Sequence, residues 1–203
     1  QLKNHYTLMK HSLSDLRNLI RDRRTIKPEN FKKRKVLPDQ INEILNNALW
    51  APTHGLTQPW HFVVFTNDAL YDLANFMAET YKNNCKSESF LQKKYDNLIT
   101  RPTLSSVVIA ICMKRQEIEK IPEIEEVEAV ACAVQNMHLT ATAYGLGGYW
   151  STGEVVYSDE MKQYLNLGAK DKCLGLFYLG YPDLEEWPKS HRQPLEYHSE
   201  WRG

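Results

Sequence analysis

Two stretches carry side chains whose chemistry asks for a ligand. The first reads A-L-W-A-P-T-H-G-L-T-Q-P-W-H-F-V-V-F over residues 48–65. It joins an amphipathic pattern ending near Trp50 to an apolar, β-branched run at Phe62–Phe65. Pro52, Gly55 and Pro59 keep the connection out of helix and strand. Thr53, His54, Gln58, Trp60 and His61 give it hydroxyl, imidazole, amide and indole groups. A loop so loaded, held between two rigid elements, suits a ligand wall; a solvated turn with Trp60 packed on the core is the alternative. The second stretch is R-R-T-I-K at residues 23–27. Three cations and a hydroxyl at a helix end can hold an anion, and cations there can equally offset the helix dipole.

The elements that must position these groups follow from periodicity. Ser12 can cap a helix with Asp15 at N3, and Leu13, Leu16, Leu19 and Ile20 follow at helical spacing. The pattern runs into Arg23–Lys27, where Pro28 stops it. Pro38 opens a second helix with the face Ile41, Ile44, Leu45, Ala48 and Leu49. After a strand over 61–66, Asp68 can cap a third helix through Met77; residues 83–89 read as loop and 90–99 as a further helical piece. S-V-V-I-A-I-C-M at 106–113 and K-C-L-G-L-F-Y-L-G-Y at 172–181 read as buried strands. Between them, 123–144 forms a long helix with a wide apolar face that includes His138, most simply a hydrogen-bonded core histidine. Gly145–Gly148 terminates it, and Ser158 caps a short helix over 159–167. From Pro182 the chain is a Pro-interrupted arm carrying Trp187, Tyr197 and Trp201, rings that a partner subunit could bury.

Composition removes several functions. Twenty-five Lys/Arg balance twenty-five Asp/Glu, so no net positive charge argues for nucleic acid, and the Lys32–Lys35 cluster reads as a solvated loop. No apolar run approaches the ~20 residues of a membrane span. Residues 1–11 are polar and lack a signal-peptide core. Cys85, Cys112, Cys132 and Cys173 are far apart with no C-x-x-C, which indicates neither zinc nor a disulfide framework and fits a reducing cytoplasm. The seven histidines show no metal-ligand pairing, and no hydrolase, P-loop or Rossmann spacing is present.

Four segments taken together resemble the FMN-dependent nitroreductases, in particular their small single-domain branch. They are R-R-T, then A-P-T-H-G-L-T-Q-P-W-H-F-V-V-F, then A-V-Q-N-M-H-L-T-A-T-A-Y-G-L-G-G-Y-W-S-T-G, and L-G-L-F-Y-L-G-Y-P, in matching order across residues 13–201. The resemblance implies an α+β fold with a mostly antiparallel sheet flanked by helices. It implies an intertwined homodimer: a tail at 1–11, an FMN-binding body at 12–182 and an arm at 183–203 that crosses to the partner. FMN would lie at the interface.

The resemblance also assigns site residues. Arg23, Arg24 and Thr25 would serve phosphate and ribityl, with Arg192 as a late phosphate cation. Lys27 would face the N1/O2 edge, where positive charge stabilises the reduced flavin. His54 and Gln58 would hold ribityl and ring edge, and Trp150, Ser151, Thr152 and Gly153 would lie over the ring with a backbone N–H toward N5. Thr140, Ala141, Thr142, Ala143, Tyr144 and Gly145 match the segment for the nicotinamide nucleotide. No protein nucleophile or metal is required. The implied activity is two-step, ping-pong reduction of nitro-aromatic or quinone acceptors by NAD(P)H. A dehalogenase or flavin-fragmenting relative, or a flavin-binding carrier without turnover, are the alternatives, and residues 81–101 would set acceptor choice.

Overall fold

The computed structural model describes residues 11–203, so ten of the eleven residues of the expected N-terminal tail lie outside the described residues. Its centre is β2 (Val107–Met113), buried at every position as the continuous apolar run requires. β1 (Trp60–Phe65) pairs with it on one side and β4 (Lys172–Gly180) on the other; β3 (Gly147–Ser151) joins β4. All three pairings are antiparallel, in the order β1-β2-β4-β3. The fold is therefore α+β with an antiparallel sheet, as expected.

Alternation along the strands sends side chains to two cores. Ile109, Ile111, Phe177 and Leu179 meet α2 (Pro38–Ala48) and α5 (Glu123–Ala143) on one face. Val108, Ala110, Leu176 and Tyr178 meet α3 (Asp68–Asn84) and the short α6 (Asp159–Tyr164) on the other. α4 (Gln92–Leu104) packs antiparallel to α3 and closes this second face, its Tyr95 and Leu98 against the core. The β2–β4 ladder carries one irregularity: Ile111 pairs with Gly175, but Cys112 pairs with Cys173, so Leu174 is an unpaired bulge residue.

α1 (Leu13–Asp22) starts as expected, with the Ser12 hydroxyl accepting from the Asp15 N–H at 3.2 Å. It ends at Asp22, well before Pro28. The expected run through Lys27 gives way because Thr25 forms a parallel bridge with Gly148, and the Ile26 N–H donates to the Gly148 carbonyl at 3.0 Å. Edge pairing with β3 outweighs a few residues of helix propensity. β3 itself was not expected: G-G-Y-W-S has no apolar alternation and reads as a helix terminator. Other boundaries move as well, and α4 runs from Gln92 to Leu104 where a helical piece over 90–99 was expected. Asp68 is the first residue of α3 and Asn67 takes the cap position, held by Lys35 Nζ on its Oδ1 at 3.0 Å. α3 continues through residues read as loop, to Asn84. α6 stops at Tyr164 instead of 167, turned off by Asn166 at φ 52°.

Near its N-terminus α5 is anchored by a buried ion pair, Arg115 Nη1 with Glu126 Oε2, whose side chains are 9% and 0% exposed. Gln116 Nε2 donates to the other Glu126 oxygen at 3.2 Å. Arg115→Leu leaves a buried, half-satisfied carboxylate and should cost about 3–5 kcal/mol of unfolding free energy. Adding Glu126→Leu should restore most of it. Urea titration of the two variants checks this, and a double variant no more stable than the single one would refute the pairing.

Candidate active site

Residues 24–26 lie as an extra rung along the free edge of β3. Two contacts fix them: the Thr25–Gly148 bridge, made by the Ile26 N–H on the Gly148 carbonyl, and His138 Nε2 on the Arg24 carbonyl at 3.0 Å. Gly148 has to be glycine here, since a Cβ would sit 2.6 Å from Phe177 and 3.1 Å from the His138 ring. His138 comes from α5, is 6% exposed, and stands edge-on to Phe177 at 5.2 Å. Its other nitrogen, Nδ1, accepts from Arg23 Nη1 at 3.5 Å. The histidine is thus the hydrogen-bonded core residue that its place on an apolar helix face implied, and it positions the arginines from below.

Above it the cations gather. Arg24 Nε donates to the Pro188 carbonyl at 2.7 Å and its Nη1 to the Arg23 carbonyl at 2.8 Å. Trp187 Nε1 donates to the Asp22 carbonyl at 2.7 Å. These bonds bring the start of the C-terminal arm back onto residues 22–24, which carries Arg192 close to Arg23. Burial first, then the neighbouring Arg192 and Arg24, push the Arg23 guanidinium below its usual value. Among the described residues no carboxylate pairs with Arg23, Arg24, Lys27 or Arg192. Repelling cations without a counter-charge favour an anion among them.

At the other end of β3 the Trp150 indole lies across Gly175, donating to the Leu174 carbonyl at 3.2 Å; a Cβ on Gly175 would come within 2.0 Å of its nitrogen. Gly153 follows at φ 151°, and its N–H donates to no acceptor among the described residues. Ser151, Thr152 and Gly153 border a cleft of about 580 Å³ whose far wall is α4, with Lys94 and Arg101, and whose floor is Tyr149 and Tyr178. Arg101 Nε bonds Glu29 at 2.9 Å and its guanidinium lies 5.6 Å from the Tyr149 ring centre. The expected stretch 81–101 ends at Arg101; sequence reasoning missed Tyr149 and Tyr178, which the β3–β4 ladder sets side by side and against which α4 brings Arg101.

The loop between α2 and β1 stands elsewhere. Leu56 and Gln58 adopt φ 55° and 46°, left-handed strain of the kind that clusters at functional loops. Thr53 holds the turn, its Oγ1 accepting from the Gln58 N–H at 3.2 Å and lying 3.0 Å from Thr57 Oγ1. His54 Nδ1 meets Glu125 at 2.5 Å, in the first turn of α5. His138 lies thirteen residues further along that helix, roughly 20 Å away at 1.5 Å per residue. One chain therefore brings Arg23, Arg24, Thr25, Arg192 and the Trp150–Gly153 segment to a single strand edge, and does not bring His54 or Gln58 to it.

A family model described as the nitroreductase family matches residues 20–181. The chain belongs to the nitroreductase family. Among curated nitroreductase relatives, YdjA of Escherichia coli K12, named by inference as a NAD(P)H nitroreductase, is 30% identical over 147 residues, covering 72% of this chain and 78% of that protein. YfhC of Bacillus subtilis 168, named in the same way, is 28% identical over 176 residues, 85% and 87% of the two chains. Two solved structures share the nitroreductase fold. A nitroreductase-like protein from Bacillus cereus superposes with a TM-score of 0.79 at 24% identity, covering 95% of this chain and 98% of that one. The FMN-dependent nitroreductase NfnB of Mycobacterium smegmatis, solved with NADPH, gives 0.73 at 17% identity over 95% and 100%.

Thr140–Gly145 forms the last turn of α5 and the residues just beyond it. The Thr140 and Thr142 hydroxyls are spent on the carbonyls of Asn136 and His138, at 2.8 Å each, and Ala141 is buried. Only Ala143, Tyr144 and Gly145 present open surface.

Burial, then Arg23, hold the His138 imidazole down at about 4 from an ordinary 6.5. The unfolded chain therefore takes the proton first as pH falls. The stability gained from a neutral His138 is full above about 6.5 and is lost between there and about 4, on the order of 3 kcal/mol. Denaturant titrations at stepped pH should show that limb in the natural protein and a flatter one in His138→Gln. Equal limbs in both would refute it.

Proposed function

We propose that this nitroreductase is an FMN-dependent NAD(P)H oxidoreductase acting on nitro-aromatic, quinone or similar acceptors in two half-reactions. The observation that carries the reading is the cluster of unpaired cations at one end of β3 with a free backbone N–H at the other. A group that is a phosphate dianion at one end and a hydrogen-bonding ring at the other fits that donor set. NfnB is described as FMN-dependent and was solved with NADPH, and a further fold neighbour, from Desulfovibrio desulfuricans, was solved with FMN. Bound FMN would supply two-electron redox chemistry between a reduced nicotinamide and an acceptor.

In this reading the chain's own residues bind, orient and exclude. Arg23, Arg24 and Arg192 neutralise the phosphate, and His138 keeps Arg23 and the Arg24 carbonyl in place. Thr25 offers its hydroxyl to the ribityl chain. Lys27, exposed and without an ion-pair partner among the described residues, places positive charge at the pyrimidine edge. Trp150 and Ser151 form the bed for the ring, Thr152 flanks it, and the Gly153 N–H points a donor at N5. The cleft between Gly153 and α4 receives the acceptor, which makes residues 81–101 the determinant of acceptor choice. Of the nicotinamide segment, Ala143, Tyr144 and Gly145 are the residues open to a nucleotide.

His54 and Gln58 enter through a second copy of the chain. The separation of roughly 20 Å within one chain supports a homodimer in which each copy's loop completes the other's site. α1 supports it too, burying no residue and leaving Leu13, Leu16 and Ile20 at 71%, 49% and 48% exposure. Trp50, Leu56 and Trp201 are 87%, 78% and 90% exposed. Residues 12–182 form the body; the arm 183–203 starts on its own chain at residues 22–24, and the residues beyond Arg192 cross to the partner. Four free cysteines suit a reducing cytoplasm, and among the described residues no helix is long and apolar enough to cross a membrane.

The protein should purify yellow with about one FMN per chain and oxidise NAD(P)H when a nitro-aromatic or quinone is added. Flavin neither released on denaturation nor taken up on addition would refute the reading. Arg24→Ala and Arg192→Ala each remove a charge-assisted contact of about 1.5–3 kcal/mol, so FMN affinity should drop at least roughly tenfold in each. Unchanged affinity in both would displace the phosphate from this cluster.

Burying each aromatic ring contributes about 1.5–3 kcal/mol. Trp187→Ala/Trp201→Ala, which keeps Arg192, should therefore lower dimer stability and flavin retention together in sedimentation and absorbance measurements. A natural protein that is monomeric at micromolar concentration and holds FMN would remove the shared site.

A further inference from the structure

Cys112 and Cys173 face each other across β2 and β4, and the bulge at Leu174 is the reason. Up to Ile111 the ladder runs without a break, Val107 opposite Leu179 and Ile111 opposite Gly175. Continued unbroken, it would set Leu174 opposite Cys112 and send Cys173 to the opposite face of the sheet. A one-residue slip exchanges the faces of all later side chains. Here it turns the Cys173 side chain onto the α3–α6 face, where Cys112 already lies and where both join one core cluster. Directly opposed residues of an antiparallel pair have Cα atoms about 4.5–5.5 Å apart. Disulfides need about 4.4–6.8 Å between Cα atoms.

Both thiols are free and buried, at 0% and 3% exposure. The neighbouring thiol is the first cause of each pKa shift, up for Cys112 and down for Cys173, and the Cys173 Sγ donates to the Gly175 carbonyl at 3.7 Å. Cys173 also borders a second cleft of about 560 Å³, walled by Arg115, Lys162, Lys170 and Lys172 with Glu119 and Asp171. That cleft gives a small oxidant a way to the sulfur with the more stable thiolate. The other two cysteines have no such neighbour: Cys85 lies in the α3–α4 connection and Cys132 is exposed on α5.

We propose that Cys112 and Cys173 form an oxidisable dithiol, closed to a cross-strand disulfide by hydroperoxides and reopened by thiols. The Cys173 thiolate attacks one peroxide oxygen and the O–O bond breaks, giving a sulfenic acid at Cys173 and, after protonation, one water. The Cys112 sulfur then attacks the Cys173 sulfur. The S–S bond forms, the S–O bond breaks, and the Cys112 proton leaves with the oxygen as a second water. Each sulfur has lost one electron and the peroxide has gained two. The inference is independent of the flavin reading.

The test uses full-length Cys85→Ser/Cys132→Ser, in which only this pair remains. The folded protein is treated with hydrogen peroxide, quenched, unfolded, alkylated and weighed by mass spectrometry. The expected product has lost two hydrogens and takes up no alkylating agent, and dithiothreitol restores two alkylation sites. Adding Cys173→Ser should leave Cys112 alkylatable after the same treatment. Cys112→Ser should stop at an oxygen adduct on Cys173, a readout that does not need the disulfide. Two alkylatable thiols persisting under peroxide that fully oxidises Cys132 in the natural protein would overturn the proposal. So would oxygen added to the pair without loss of hydrogen.

Discussion

The Thr25–Gly148 bridge to β3 and the His138 bond from α5 hold residues 24–26 in place, and the rest of the site depends on them. The Gly148 carbonyl takes the Ile26 N–H, Thr25 bridges Gly148, and His138 reaches from α5 to the Arg24 carbonyl. Without that rung α1 would be free to run on, and Arg23 and Arg24 would point around a helix in different directions. With it, both guanidinium groups sit over one strand edge. The cost is visible in the sequence and in the energetics. Gly148 accepts no side chain, and a histidine is kept neutral in a buried position beside an arginine.

In the proposed reading FMN would carry the redox chemistry, and the side chains serve to place it. There the chain's own work is placement: cations proposed for an anion, an open N–H at Gly153, an indole laid over Gly175, and a cleft walled by α4. Arg101 and Glu29 tie α4 to residues 28–30, which follow directly on the rung at the strand edge. The polar groups at Lys94 and Glu154 join the other side of that wall to the β3–α6 loop at 2.7 Å.

Much of this was legible in the chain. α2, α5, β2 and β4 announce themselves by period and length, because each buries a face large enough to dominate its local propensity. R-R-T and the loop at 48–65 stood out by chemistry. β3 did not, since five residues with two glycines become a strand only when β4 and residues 25–26 pair with them. α1 was read too long for the same reason. Arg101, Tyr149 and Tyr178 were invisible as a group: they are spread over 78 residues and meet only through the α3–α4 hairpin and the β3–β4 ladder. The facing of Cys112 and Cys173 rests on a bulge at Leu174 that no local pattern marks.

α5 is also a ruler. It sets His54 at one end and His138 at the other, and no rotamer change in either can shorten a helix. If the two copies exchange loops as proposed, each active site is a composite of two gene products. A cell carrying two defective alleles, one lacking Arg24 and the other lacking Gln58, would then assemble mixed pairs. One of the two sites in such a pair draws both damaged residues and is lost. The other draws neither, so two null alleles would rescue each other, an outcome that a protein with its whole site in one chain cannot produce.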